Sequence, residues 1–476
     1  MAKIDSDILF ATIPELNKLL TSKEVSAVEM ARAFAERLEQ LGPRYNALAL
    51  PLTQQAIRKA HEVDKEIKRG RLRGMLQGIP YGVKDLLSFA GQPTTWGAKP
   101  FAAQVFDYDA TVITKLSAVG SVLVGKLSTV ELAGGGGYRY AAASLQGPGL
   151  NPWDRTRWSG GSSSGPATAV AAGLVPFAIG SETSGSIVTP ASYCGVTALR
   201  PTYGLVSRHG AMALSWTLDK LGPFARSAED CGLILQTIAG KDGKDPGSAG
   251  KSFYYTPQYA RPIKEVRIGF APVDFAGWAD PAARPAFNAA MDVIKQTGAQ
   301  LVDTKLPDFH YGAVISTVIG AEEVSIFEDF IRSGKVDQLA DAEQIAGLKA
   351  NLDISATTYL KAMRIRRLMQ EAFRQLFVDV DVLVTFGRDK VASPIDQPLD
   401  RGTPAGPAPE DPGFNALIPA GNLAGLPALV LPCGFAGSLP VALQVVGPPF
   451  SENLLLAIGR EFQQRTDWHK RRPPGT

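Results

Sequence analysis

Cysteine and histidine are scarce in this chain, and neither is grouped as metal or disulfide chemistry would need. Three cysteines (Cys194, Cys231, Cys433) and four histidines (His61, His209, His310, His469) are spread over 476 residues. The cysteines are too few and too widely spaced for a disulfide framework or a zinc site, so they read as small buried side chains in a reducing, cytoplasmic setting. Long hydrophobic runs are absent too. The longest mostly apolar stretch, 167–179, falls short of the ~20 residues that cross a bilayer. Residues 1–10 carry Asp5 and Asp7 instead of the apolar core of a signal peptide. No long basic run is available to track a phosphate backbone. Forty-nine basic residues face forty-six acidic ones, for a net charge of +3, and the basic cluster at 469–472 reads as a solvated tail. These absences argue against nucleic acid, membrane, metal and cofactor.

What is present is ordinary globular composition, 45% hydrophobic and 20% charged, whose texture changes along the chain. Residues 1–70 read as a helical layer. Ser26 and Glu29 form a capping box, and Met30, Phe34, Leu38 and Leu41 share one face before Gly42-Pro43 stops the helix. A second, charged helix is expected over 54–68. Residues 71–240 alternate short β-like runs (122–124, 175–179) with Gly/Ser turns and alanine-rich helices such as 166–174, the pattern of strands buried under helices on both faces. Residues 241–385 read as an insertion: a β-α-β unit over 266–303, then a mainly helical cap over 311–377. Residues 386–476 return to the core through a Pro/Gly-rich loop over 396–413, strands at 428–432 and 441–446, and a helix over 451–464. The expectation is one α/β domain with an insertion.

Two motifs fail on context. Gly120 to Lys126 matches the start of a P-loop, but Leu127 replaces the hydroxyl residue that would hold magnesium. Gly161-Ser162-Ser163-Ser164-Gly165 has the spacing of a nucleophile elbow, yet the polar, loop-like 154–159 precedes it and no histidine is marked as its base. A different constellation needs no histidine. A serine hydroxyl must lose its proton to a base, and a lysine serves if burial lowers its pKa. Lys84 follows an apolar stretch beside Gly82, although local sequence alone favours a surface lysine paired with Asp85. The run Gly180-Ser181-Glu182-Thr183-Ser184-Gly185-Ser186 follows an apolar strand, and such a turn can aim consecutive backbone N–H groups into one space, as an oxyanion requires.

The stretch 159–208, with GIPYGVKDLL upstream, 215–223 and 415–447, resembles the amidase signature family, which includes amidases, fatty acid amide hydrolases and glutamyl-tRNA amidotransferase A subunits. The resemblance implies a mixed, twisted central β-sheet covered by helices on both faces. It also implies a Ser–cis-Ser–Lys triad: Lys84 as base, Ser162 as bridge and Ser186 as nucleophile. The oxyanion hole would be the backbone of Thr183, Ser184, Gly185 and Ser186, and the reaction would proceed through an acyl-enzyme with no metal or cofactor.

Departures from the family point to the substrate. Val188 stands where amidotransferase A subunits often carry arginine, which suggests an apolar acyl or aryl group in place of glutamine. Ser184 adds a side chain beside the oxyanion donors, and Glu182 replaces the usual aspartate. In the glycine-rich run at 134–140, Gly136, Gly137, Tyr138 and Tyr140 are candidate substrate contacts. Its two tyrosines either stack on an aromatic substrate or pack on the surface. Phe386 reshapes a pocket wall. The leading expectation is a free-standing hydrolase of small amides, extending to aryl esters or carbamates (urethanes). The alternatives are an amidotransferase A-type subunit releasing ammonia to a partner, and an inactive homologue that only binds. A homodimer is compatible with each.

Overall fold

Apolar runs bounded by glycine and serine form the centre of the molecule, because a strand covered on both faces needs no alternation. The computed structural model describes residues 4–399 and 408–476. Part of the loop expected at 396–413 therefore lies outside the described residues. Thirteen strands are formed among them: β1 (Leu48–Pro51), β2 (Pro80–Lys84), β3 (Val122–Leu127), β4 (Leu150–Asn151), β5 (Asp154–Trp158), β6 (Phe177–Glu182), β7 (Thr197–Arg200), β8 (Lys220–Ala225), β9 (Arg267–Phe270), β10 (Gln300–Asp303), β11 (Val382–Phe386), β12 (Ala428–Ala436) and β13 (Leu439–Val446). Eleven build one mixed sheet in the order β1-β3-β2-β6-β8-β7-β12-β13-β11-β9-β10, and β4-β5 stand apart as a hairpin. β3, β2 and β6 run parallel to one another, and β8 returns antiparallel to β6. Every residue of β2, β3, β6 and β8 is buried. The mixed sheet between helices agrees with the expected α/β fold, as a single domain.

The helices follow their local signals. The helix Ala27–Leu41 starts at the expected capping box: Ser26 Oγ accepts from the Glu29 N–H at 3.1 Å, and a Glu29 oxygen accepts from the Ser26 N–H at 2.9 Å. Such a cap is worth about 1 kcal/mol. The helix Ser164–Ala171 is buried along its whole length. Gly165 lets it approach, since a Cβ there would stand 2.4 Å from the Ser128 nitrogen. The 311–377 region forms three helices, Tyr311–Arg332, Ala342–Asn351 and Ala356–Asp379.

One local expectation is corrected. The polar stretch 154–159 is no loop, because Asp154–Trp158 pairs with Leu150–Asn151. Its hydrophilicity reflects an outward-facing strand that buries only Trp158 at its end. Strands β9, β10 and β11 extend the central sheet from within or at the border of the region read as an insertion.

Candidate active site

Strand β2 ends on Lys84 and strand β6 on Glu182, side by side in parallel register. That adjacency brings three distant side chains into one line. Lys84 Nζ donates to Ser162 Oγ at 2.7 Å and to Ser181 Oγ at 2.9 Å. Ser162 Oγ donates to Ser186 Oγ at 2.9 Å. The Gly161-Ser162 peptide is cis. Lys84 is wholly buried, and burial brings its ammonium down to about pKa 7, with the negative charges of Asp219 and Glu182 opposing the shift. The expected pairing of Lys84 with Asp85 does not occur. Asp85 lies 2.8 Å from Lys126 in a buried ion pair, which also accounts for the lysine of the P-loop-like run.

The turn carrying Ser186 is held from behind by Glu182. One carboxylate oxygen accepts from the N–H groups of Ile187 and Val188 at 2.8 and 3.0 Å. The other accepts from Arg200 at 2.7 Å and Asn422 at 2.8 Å. Burial pushes this acid up, but the Arg200 guanidinium, the charge of Lys220 and the Asn422 hydrogen bond together outweigh it and bring Glu182 to about pKa 2. Gly185 has φ +87°, which glycine adopts without strain. Among the described residues, no turn or loop hydrogen bond is donated by the backbone N–H of Ser184, Gly185 or Ser186. Thr183, Ser184 and Ser186 of this turn line a cavity.

A cavity of about 240 Å³ opens on Ser186 and is lined by Tyr138, Trp158, Tyr193, Arg388 and Leu399. A larger one, about 490 Å³, adjoins it at Ala133, Thr183 and Leu214 and is also lined by Ser181. The candidate contacts distribute unevenly. Tyr138 lines the smaller cavity, where its ring stands edge-on to Trp158 with centroids 6.0 Å apart. Tyr140 is 45% exposed and does not line it. Gly136 packs instead against the helix Ala342–Asn351, where a Cβ would come 2.4 Å from the Gln344 carbonyl; Gly137 has open space around it. Val188 is fully buried at the start of the helix Val188–Cys194 and lines neither cavity. Its side chain faces the core, so the neighbouring Thr189 contributes to the wall instead. Phe386 lies on a further depression beside Ser184 and Thr189.

Sequence reasoning missed Ser181, Trp158, Tyr193 and Arg388. Ser181 was visible within the Gly/Ser run. Trp158 directly precedes the loop of Ser162, but the hydrophilic residues around it hid the strand that aims it. Arg388 follows β11 and has no local signal. His209 stacks on Tyr108 and belongs to the larger cavity. All three cysteines are free and buried. Among the described residues, no helix is long and apolar enough to cross a membrane and no group of three or more His, Cys, Asp or Glu is placed to hold a metal.

Comparison with known proteins identifies the family and the fold. The amidase family model matches residues 29–456. The A subunit of glutamyl-tRNA(Gln) amidotransferase from Carboxydothermus hydrogenoformans is 35% identical, over 98% of this chain and 99% of its own length. The native peptide amidase of Stenotrophomonas maltophilia superposes with a TM-score of 0.84 at 30% identity, covering 98% of both chains. A chain from a complex described as vestigial, and as revealing the origins of an s-triazine catabolic enzyme, gives a TM-score of 0.86 at 29% identity, covering 96% of this chain and 98% of that one.

Proposed function

Because this chain belongs to the amidase family, whose members act on C–N bonds, we propose that it hydrolyses a small amide through a covalent acyl-enzyme on Ser186. The observation behind this reading is the unbroken line from Lys84 through Ser162 to Ser186. With Lys84 charged, the hydrogen bonds run outward from the ammonium. Once it is neutral they reverse: Lys84 takes the Ser162 proton, and Ser162 takes the Ser186 proton as Ser186 Oγ bonds to the carbonyl carbon. The tetrahedral oxyanion is held by the backbone N–H groups of the 183–186 turn. On collapse the C–N bond breaks and the relayed proton passes to the leaving nitrogen. Water then attacks the acyl-enzyme by the same route and frees Ser186.

Two settings fit this chemistry. The curated relatives at 35–36% identity are amidotransferase A subunits, which favours an A-type subunit that passes ammonia to a partner over a free-standing amide hydrolase. The argument from Val188 against glutamine loses its force, since that side chain does not face the cavity. The intact relay speaks against a homologue that only binds. Ester and carbamate turnover find no support among the relatives, so the proposal is confined to amides. Ammonia release from primary amides by the chain alone, beside Ser186→Ala, tests the reading. Stimulation by added B- and C-type subunits would place it in an amidotransferase, and activity surviving Ser186→Ala would remove Ser186 from its role.

A further inference from the structure

Strands β6 and β8 run antiparallel, with Glu182 opposite Lys220. One residue beyond the end of β6, the same register sets Thr183 against Asp219. There the side chains meet: Thr183 Oγ1 donates to Asp219 Oδ1 at 2.6 Å. The other carboxylate oxygen accepts from the N–H groups of Leu214 and Ser215 at 2.8 and 3.0 Å. That loop is itself gripped by a neighbouring helix. Glu322, within Tyr311–Arg332, accepts from Ser215 Oγ at 2.6 Å, Thr217 Oγ1 at 2.8 Å and Tyr359 Oη at 2.8 Å. Asp219 is buried, and burial pushes its carboxyl up while the Thr183, Leu214 and Ser215 hydrogen bonds and the Lys220 charge pull it down. Lys220 spends a hydrogen bond on the Leu218 carbonyl. The turn from Thr183 to Ser186 consists of small residues with little side chain to pack, so what is fixed at its two ends decides where its N–H groups point. Glu182 holds the exit through the N–H groups of Ile187 and Val188. The entry is held by Asp219.

We infer that Asp219 is a positioning residue of the reaction, acting through Thr183 on the turn that ends at Ser186. The inference rests on Ser186 being the nucleophile of an amide hydrolase. Asp219 bonds to Thr183, whereas Lys84, Ser162 and Ser186 bond to one another, so it acts at one remove from the reacting atoms. It has a second line of influence. Asp219 and Glu182 are the negative charges that oppose the fall of the Lys84 ammonium, so removing Asp219 lets that fall go further.

The test uses Thr183→Val, Asp219→Asn and the double variant of the full chain, with a primary amide as substrate. Each single variant should lower kcat by about tenfold or more with KM little changed, because oxyanion donors matter most in the transition state. The double variant should be no slower than the slower single one, since both changes break the same link. Effects that multiply, or a loss confined to KM, would overturn the inference and leave the hydrolase standing. Should Asp219→Asn not fold, Thr183→Val decides alone, and a parent-like kcat in it overturns the inference. Asp219→Asn should also move the rise of kcat/KM to lower pH, with Glu182 remaining as the other charge on Lys84, while Thr183→Val leaves the rise in place. An unmoved rise would reduce Asp219 to a structural role. A second readout needs no amide: phenylmethanesulfonyl fluoride labels a reactive serine, whose Oγ bonds to sulfur as fluoride leaves and the proton passes to the base. Labelling of Ser186, followed by intact mass, should be slower in both single variants. Slower labelling while the parent turns over no amide would keep the positioning role and remove the hydrolase reading. Unslowed labelling overturns the inference, and a parent that neither labels nor turns over amides overturns both.

Discussion

Lys84 Nζ lies 2.7 Å from Ser162 Oγ in a part of the interior where both side chains are shielded from solvent. Desolvation is what makes this lysine a base near neutral pH, and its ordinary partner, Asp85, is occupied by Lys126.

Activity should therefore follow the deprotonation of Lys84. Below about pH 7 the ammonium holds its proton and cannot accept one; above it the neutral amine accumulates. We expect kcat/KM to rise through that region and level off on the alkaline side. A flat profile from about pH 5.5 to 9 would exclude a lysine base.

The same shift bears on stability. The folded value, about 7, lies below the ordinary 10.5, so between these values the unfolded chain binds the extra proton. This group's penalty on folding is then largest below about pH 7 and fades as pH rises towards 10.5. Lys84→Met removes it. The variant should gain stability relative to the parent at pH 6.5 and less at pH 9, as read by denaturant midpoints; a larger gain at pH 9 would contradict the assignment.

Ser162→Ala breaks the relay while leaving the nucleophile. We expect kcat to fall by about 10²–10⁴, the usual range for loss of positioned proton transfer, with acyl-enzyme formation slowed in single-turnover experiments. A change confined to KM would show that Ser162 only shapes the site.

Arg200→Leu strands Glu182 without its buried partner. Breaking such a pair costs about 3–5 kcal/mol. Because Glu182 also fixes the N–H groups of Ile187 and Val188, kcat should fall along with the melting temperature. A variant as stable and active as the parent would show that the pair does not hold the turn.

The glycines at 136 and 137 provide a matched pair. Both have positive φ, +77° and +76°. Alanine at 137 meets open space and should cost about 1–2 kcal/mol from its backbone alone. Alanine at 136 would also collide with Gln344 and Leu348 and disturb the loop that Glu323 grips through the Gly136 N–H at 3.0 and 3.1 Å. Gly136→Ala should be clearly less stable than Gly137→Ala. Equal denaturant midpoints would refute the clamp.

Short-range features were legible in the sequence. The capping box at Ser26 and Glu29, the buried strand before Ser186 and the glycine-dependent turn at Gly185 each depend on neighbours within a few residues, and each was readable from the residues themselves. The β4-β5 hairpin was not, because a strand with a solvent-facing side carries the composition of a loop.

The amino-acid sequence by itself pointed to the family, through the resemblance of its motifs, and to the buried α/β core and the Gly/Ser turn, because these two follow from apolar patterning and local backbone freedom. Only the tertiary structure decided which groups meet at that turn. Lys84 and Ser162 are 78 residues apart in the chain, and the lysine's pKa comes from desolvation by packing that no local pattern encodes. The same holds for the acyl side: the direction each chain takes at the end of its strand turned Val188 into the core and set Trp158, Tyr193 and Arg388 around the cavity.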